Sequence, residues 1–277
     1  MPVKVAIQGQ RGSFHDIAAR QFLGKDIRLV SCETFADTFA CLARGHADKI
    51  VVALENSLFG SINQTYDMLL KYKFWISNEL YLRVKQCLIG LAGAEIQKIL
   101  EVHSQLPALA QCEVYLDTYL PKARRVEQHD TAASVAAVKA WDDPTKAAIA
   151  SAEAAKFYGL SVLAAEIETH KQNYTRFVVI ETKPRIIKKA SKTSLVLTTS
   201  HKPGALYTAL GVFARRNMNL TKLQSRPIIG KAWEYMFYID VTESGQSDDF
   251  QAALTELNQQ GCTITVMGSY PAGKITS

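Results

Sequence analysis

The sequence lacks the features that define several large protein classes. Its five cysteines include no C-x-x-C pair, and its histidines have no spacing typical of metal ligands. It shows no signal-peptide pattern and no apolar run long enough to cross a membrane. Lysines and arginines are scattered, with no basic tract of the kind that binds nucleic acid. We therefore expect a cytosolic protein with reduced thiols, no metal, and no membrane or nucleic-acid partner.

The composition is that of an ordinary globular protein. Apolar residues make up 48% of the 277 residues and charged residues 21%, which is enough to build a sizeable core. The length suits two or three small domains. A net charge of +6 is compatible with a small anionic ligand.

Residues 1–182 alternate short β-prone apolar runs with helical patterns. This order predicts an α/β domain of mostly parallel sheets. We expect two lobes, the first from about 1–78 plus 165–182 and the second from about 79–164. A strand at Phe177–Ile180 returns to the first lobe. Two lobes joined in this way enclose a cleft, the usual place for a small ligand.

The C-terminal part follows a different pattern. Residues 183–191 are charged and not periodic, which is typical of a linker. Residues 192–277 show the order β-α-β-β-α-β. This order predicts a ferredoxin-like domain.

Polar residues follow the apolar strand Ile50–Leu54, where Glu55, Asn56 and Ser57 stand. The carboxyl ends of parallel strands are where α/β proteins place their chemistry, although Asn56 and Ser57 could equally form local turn bonds. The loop from Gly9 to Ser13 could bind an anion or could be a plain tight turn.

Two further segments could belong to a site. Ser104 and Gln111 flank the start of a helix predicted over Ala108–Leu116, which Ser104 could simply cap. Asp130-Thr131 has the pattern of an ordinary helix N-cap. Asn173 to Phe177 combines a hydroxyl, a cation and an aromatic ring, yet a surface turn would give the same pattern. An arginine such as Arg176 suits a planar carboxylate.

The order of these motifs along the chain is more specific than any one of them. Nearly the whole chain, from about Val3 to Tyr270, resembles the prephenate dehydratases. The first lobe is similar in Gly9 to Phe14 and in Glu55-Asn56-Ser57. The second is similar in Ala108 to Cys112 and Asp130-Thr131-Ala132. The most diagnostic match is Asn173-x-Thr175-Arg176-Phe177. Lys192 to Leu195, Pro203 to Leu206 and Ser225-Arg226-Pro227 resemble the ACT regulatory domain of that family.

The resemblance implies a periplasmic-binding-protein-like catalytic domain, without cofactor, that dehydrates and decarboxylates prephenate to phenylpyruvate. It implies catalytic roles for Thr175, Asn56 and Gln111. The implied substrate-binding residues are Arg176, Phe177, Glu55, Ser57, Ser104 and Ser13.

The ACT domain is expected to bind L-phenylalanine as a feedback inhibitor, in a homodimer or a dimer of dimers. The implied effector-binding residues are Gly204, Ala205, Leu206, Asn219, Ser225 and Arg226. Two alternatives stay open: an arogenate dehydratase, which performs the same chemistry on an amino-acid side chain, and a non-catalytic amino-acid-sensing protein. Gln224 stands where the family usually has Glu before Ser-Arg-Pro, so the strength of feedback is also left open.

Overall fold

The computed structural model describes residues 2–275, which pack into two compact units. The first unit contains residues 2–68, 80–177 and 275, and the second contains residues 69–79 and 178–274. The sequence predicts a catalytic domain followed by an ACT domain, separated by a linker at residues 183–191. In the structure, residues 69–79 belong to the second unit, although they lie within the predicted catalytic domain. Within residues 2–275, no helix is both long and apolar enough to span a membrane.

The elements follow one another along the chain, with a short 3₁₀ helix at Ile96–Lys98 between β6 and β7. They are β1 (Lys4–Gln8), α1 (Phe14–Leu23), β2 (Arg28–Cys32), α2 (Phe35–Ala43), β3 (Lys49–Asn56), β4 (Gly60–Ser61), α3 (Asn63–Tyr72), β5 (Trp75–Arg83), β6 (Cys87–Gly90), β7 (Glu101–Ser104), α4 (Leu106–Gln111), α5 (Glu113–Tyr119), β8 (Arg124–Glu127), α6 (Thr131–Trp141), β9 (Lys146–Ala150), α7 (Ala152–Tyr158), β10 (Ser161–Ala164), β11 (Tyr174–Glu181), β12 (Lys192–Thr198), α8 (Ala205–Ala214), β13 (Leu220–Pro227), β14 (Tyr235–Val241), α9 (Asp248–Gln259) and β15 (Thr263–Tyr270).

The first unit contains strands of two sheets. One has the order β11-β3-β1-β2, in which β1 is parallel to both β2 and β3. The other has the order β10-β6-β9-β7-β8 and is mixed, because β6 runs antiparallel to β9 and β10. The helix predicted over Ala108–Leu116 is in fact two helices, α4 and α5, which meet at Cys112.

Helix ends in the first unit coincide with turn and cap residues. Ser13, Asp130 and Ser151 each accept a backbone N–H at the start of α1, α6 and α7. Gly159 ends α7 with a φ of 71°, a conformation that suits glycine. These local signals explain why the helix starts could be predicted to within a residue or two.

The second unit contains the C-terminal β-α-β-β-α-β domain, as predicted. Its strands have the order β13-β14-β12-β15, and β12 is antiparallel to both β14 and β15. Helices α8 and α9 share one apolar core with these strands, formed by residues that include Leu195, Phe213, Ile239, Phe250 and Leu257. The separate core is what makes this region a domain.

Candidate active site

A cleft of about 320 Å³ lies in the first unit. Strand residues of the first sheet and residues near the ends of strands of the second sheet contribute to the lining. The residues are Gln8, Ser13, Phe14, His15, Ala53, Asn56, Phe59, Gly60, Ser61, Ile62, Val84, Gln86, Gln105, Pro107, Ala108, Gln111, Asp130, Thr131, Thr175 and Phe177. The structure therefore brings together five predicted residues, Ser13, Asn56, Gln111, Thr175 and Phe177.

The Asn56 side chain orients the Thr175 hydroxyl. Asn56 Nδ2 donates to Thr175 Oγ1 at 3.0 Å and to Asn173 Oδ1 at 2.9 Å. Asn56 Oδ1 accepts from the backbone N–H groups of Leu58 and Phe59, at 2.9 and 3.1 Å, which fixes the orientation of the amide. Since Thr175 Oγ1 accepts this bond, its own hydrogen is left to donate to a molecule in the cleft.

Strand alternation separates Thr175 and Phe177 from the residue between them. Successive side chains of a strand point to opposite faces, so Thr175 and Phe177 line the cleft and Arg176 does not. Arg176 is 3% exposed, and its Nη1 lies 3.9 Å from Glu55 Oε2. The guanidinium of Arg176 therefore lies on the other face of β11 from Thr175, and its direct contact with a substrate carboxylate stays a prediction. Glu55 is also outside the cleft lining.

Two predicted serines are bound to the backbone instead of lining the cleft. Ser104 is fully buried, and its hydroxyl donates to the Ile149 carbonyl at 2.6 Å. Ser57 Oγ accepts from Tyr174 N at 3.0 Å and donates to Gln172 O at 3.2 Å. Ser104 thus joins β7 to β9 and Ser57 holds the start of β11, and direct substrate contact of either residue stays a prediction.

The other predicted cleft residues have polar partners. Ser13 accepts from Asp16 N at 3.3 Å as the N-cap of α1. Gln111 Oε1 accepts from Gln86 Nε2 at 3.0 Å, so these two amides form one side of the cleft. The glycine loop is not an open anion site, because Gly12 N already donates to Asp16 Oδ2 at 2.9 Å.

The fold and the cleft together invite comparison with known proteins. A model of the prephenate dehydratase family matches residues 5–185, and a model of the ACT domain matches residues 193–261. The chain belongs to the prephenate dehydratase family. The predicted enzyme class, a lyase acting on prephenate, is thereby confirmed.

Individual relatives agree with this assignment. A bifunctional chorismate mutase/prephenate dehydratase from Aquifex aeolicus is 36% identical, over 97% of this chain and 74% of its own length. Arogenate dehydratase/prephenate dehydratase 2 from Arabidopsis thaliana is 37% identical, over 97% of this chain and 73% of its own. A crystal structure of prephenate dehydratase in complex with L-Phe from Arthrobacter aurescens has a TM-score of 0.88 at 29% identity, covering 98% of this chain and 90% of that chain.

Sequence reasoning missed two titratable residues of the cleft in this prephenate dehydratase. His15 Nε2 accepts from Ala53 N at 3.2 Å, and burial lowers the pKa of His15 to about 4, so the ring is neutral near pH 7. The His15 ring also meets Phe177 edge to face, with centroids 5.0 Å apart. Asp130 lines the cleft, and burial raises the pKa of its carboxyl. The sequence marked Asp130 as a helix cap and as part of a family motif, but not as a cleft residue. Its position after a second-lobe strand was the available signal.

The cleft has an unusual charge balance for an enzyme with a dianionic substrate. Its lining residues include no lysine or arginine, and Asp130 is the one carboxyl among them. Gln8, Gln86, Gln105 and Gln111 supply neutral amides instead. Within residues 2–275, no cluster of three His, Cys, Asp or Glu side chains could hold a metal ion.

The ACT domain contains a small hollow of about 150 Å³ near the start of α8, which we call the effector hollow. It is lined by Thr199, Ser200, His201, Lys202, Ala205, Leu206, Glu234, Tyr235 and Phe237. Of the predicted effector-binding residues, Ala205 and Leu206 line it. Gly204 is the N-cap of α8 with a φ of 80°.

The remaining three effector predictions fall outside the effector hollow. Asn219 accepts from Thr242 N at 2.9 Å through its carbonyl, and Ser225 and Arg226 pair with β14 opposite Phe237 and Met236. Contact of these three residues with a ligand in this hollow is therefore not supported by their positions.

Proposed function

We propose that the cleft converts prephenate to phenylpyruvate with Thr175 as the hydrogen-bond donor to the departing hydroxyl. The observation that carries this proposal is the 3.0 Å bond from Asn56 Nδ2 to Thr175 Oγ1, which leaves the threonine hydrogen to donate. Donation at this point stabilises the charge that develops on the leaving oxygen.

The reaction balances with one proton. The ring C–O bond breaks as the electron pair of the bond to the departing carboxylate moves into the ring, which becomes aromatic. Carbon dioxide leaves, and the hydroxide takes up one proton to become water. A threonine hydroxyl is too weak an acid to supply this proton unaided, so Thr175 acts by position and by relaying a proton.

The apolar part of the cleft favours loss of the carboxylate. Phe14, Ile62, Val84 and Phe177 contribute apolar surface to the lining. A carboxylate in weakly polar surroundings loses hydration relative to a transition state in which the charge is dispersed. In this proposal the neutral amides of Gln86 and Gln111, which line the cleft, hydrogen-bond the substrate carboxylates.

We further propose that L-phenylalanine inhibits the enzyme by binding at the effector hollow. Support comes from Ala205 and Leu206 at the start of α8, where backbone N–H groups favour a carboxylate. The relative from Arthrobacter aurescens was crystallised with L-Phe. We also propose a cytosolic homodimer or dimer of dimers, a state that sedimentation of the purified protein would measure.

The test is direct. The purified enzyme is incubated with prephenate and phenylpyruvate formation is measured, alongside Thr175→Ala and the control Thr118→Ala. Thr118 is an exposed helix residue whose hydroxyl donates to the Val114 carbonyl. We expect turnover by the parent and the control, and loss in Thr175→Ala. Absence of phenylpyruvate with the folded parent enzyme would refute the proposal.

A further inference from the structure

Asp130 has its carboxyl group in the cleft where the anionic substrate is proposed to bind. Asp130 is the N-cap of α6, where its Oδ1 accepts from Ala133 N at 2.7 Å. Its other oxygen faces the glycine loop, since a methyl carbon added at Gly9 would lie 2.6 Å from Oδ2. The absence of a side chain at Gly9 therefore permits the carboxyl to sit where it does. The carboxyl is 9% exposed and lines the same cleft as Thr175.

No cation in the lining neutralises this carboxyl. The cleft-lining residues include neither lysine nor arginine, and the other titratable group, His15, is neutral. The nearby groups on packed elements are His129, which precedes Asp130, and Tyr158 of α7, whose hydroxyl donates to Gln10 Oε1 at 2.9 Å. An ionised Asp130 thus contributes one negative charge to the space in which the substrate is bound.

The two substrates of this reaction type differ by one charge. Prephenate carries two carboxylates and a keto group, whereas arogenate carries an ammonium in place of the keto group. A fixed negative charge in the cleft disfavours binding of the prephenate dianion relative to binding of arogenate, whose ammonium is attracted to it. The sign of the effect follows from the charges alone, and its size falls as the distance between Asp130 and the ammonium grows.

We propose that Asp130 is a specificity-determining residue that shifts the enzyme from prephenate toward arogenate when it is ionised. The inference rests on the proposed function, because it concerns the choice of substrate in the same cleft. Asp130 also caps α6, so a purely structural role must be separated from the effect of charge.

Burial gives this discrimination a pH dependence. Since burial raises the pKa of Asp130, the carboxyl is neutral over a wider acidic range than an exposed aspartate. At pH values below the raised pKa, Asp130 loses its negative charge and no longer discriminates between the two substrates. Preference for prephenate should therefore be greatest in acid and should fall as the pH rises.

The experiment uses Asp130→Asn, because asparagine retains N-cap capacity and removes the charge. Asp130→Ser serves as a second uncharged cap if the first variant folds poorly. The control is Asp37→Asn, which alters the capping box of α2 outside the cleft. For each protein, kcat/KM for prephenate and the turnover or competitive inhibition constant for arogenate are measured from acidic to mildly alkaline pH.

We expect the prephenate-to-arogenate preference to rise roughly tenfold in Asp130→Asn at mildly alkaline pH, as for loss of one nearby charge at intermediate dielectric constant. The variant and parent should converge in acid, and Asp37→Asn should follow the parent. An equal change for both substrates, or a ratio independent of pH, would overturn the inference and leave Asp130 as a helix cap. Failure of the parent to act on either substrate would instead refute the proposed function.

Discussion

Two buried polar clusters, one in each unit, differ in whether a hydrogen-bonding group remains available to a ligand. In the first unit, Asn56 binds Asn173 and Thr175 at the wall of a cleft. In the second unit, Lys192 Nζ lies 3.0 and 3.1 Å from the two carboxylate oxygens of Glu79, and both side chains are almost completely buried. Gly273 N adds a third bond to Glu79 at 2.8 Å.

This difference is the basis for proposing a chemical role for the first cluster and a structural role for the second. Burial and hydrogen bonding are common to both clusters. What distinguishes the first is a neighbouring cavity and a hydroxyl hydrogen left to donate. Substitutions in the first cluster should therefore change turnover, and substitutions in the second should change stability.

The largest effect is expected for Thr175→Ala. Removal of the positioned hydroxyl should lower kcat about 10²- to 10⁴-fold, because a donor to the leaving group acts in the transition state. The free energy of unfolding, from urea denaturation, should change little, since Thr175 Oγ1 is held by one neutral bond. Near-parental turnover in the folded variant would contradict a chemical role for the first cluster.

The next effect concerns stability in the second unit. Lys192→Met leaves Glu79 buried without its cation and should lower the free energy of unfolding by about 3 kcal/mol or more. The control Lys188→Met removes an exposed lysine from the neighbouring segment and should have almost no effect. Pairing Lys192→Met with Glu79→Leu should restore much of the loss. A destabilisation no larger than that of the control would contradict the structural role.

A smaller change is expected when Thr175 keeps its hydroxyl but loses its orienting partner. Asn56→Ala removes a neutral hydrogen bond and should lower kcat roughly tenfold. Ser57→Ala is the matched control, since Ser57 binds only the backbone of Gln172 and Tyr174. Equal losses in the two variants would indicate that β11 placement, and not the amide of Asn56, sets the position of the hydroxyl.

The smallest effect should be found at the effector hollow. Leu206→Ala should weaken inhibition of prephenate turnover by phenylalanine a few-fold, as expected for loss of part of one apolar contact. Leu223→Ala, an exposed residue of β13 outside the hollow, is the control. Inhibition unchanged by Leu206→Ala but weakened by the control would place the effector elsewhere.

Gly204→Val is less informative than the leucine variant. A Cβ added at Gly204 would meet no atom within 4 Å, so this position opens onto free space and not onto the effector hollow wall. Its φ of 80° would nevertheless strain any residue with a Cβ and disturb the start of α8. Loss of inhibition in this variant would therefore not identify a contact.

The local sequence determined the secondary elements, and the joint order of motifs determined the family. Caps at Ser13, Asp130 and Ser151 and the terminating Gly159 depend on neighbours a few residues away, so they could be recognised without the fold. The helix break at Cys112 could not, because the apolar pattern continues across it.

Tertiary structure alone decided which polar residues share the cleft. Asn56 and Thr175 are 119 residues apart, and their bond exists only because β3 and β11 are neighbours in one sheet. The sequence named Thr175, Arg176 and Phe177 together, but the pleat of β11 turns Arg176 to the opposite face. The sequence identified Asp130 as a helix cap, and the fold shows that the same residue also lines the cleft. Sequence spacing specifies local conformation, whereas the direction of a side chain into a shared cavity depends on strand pairing and packing between distant segments.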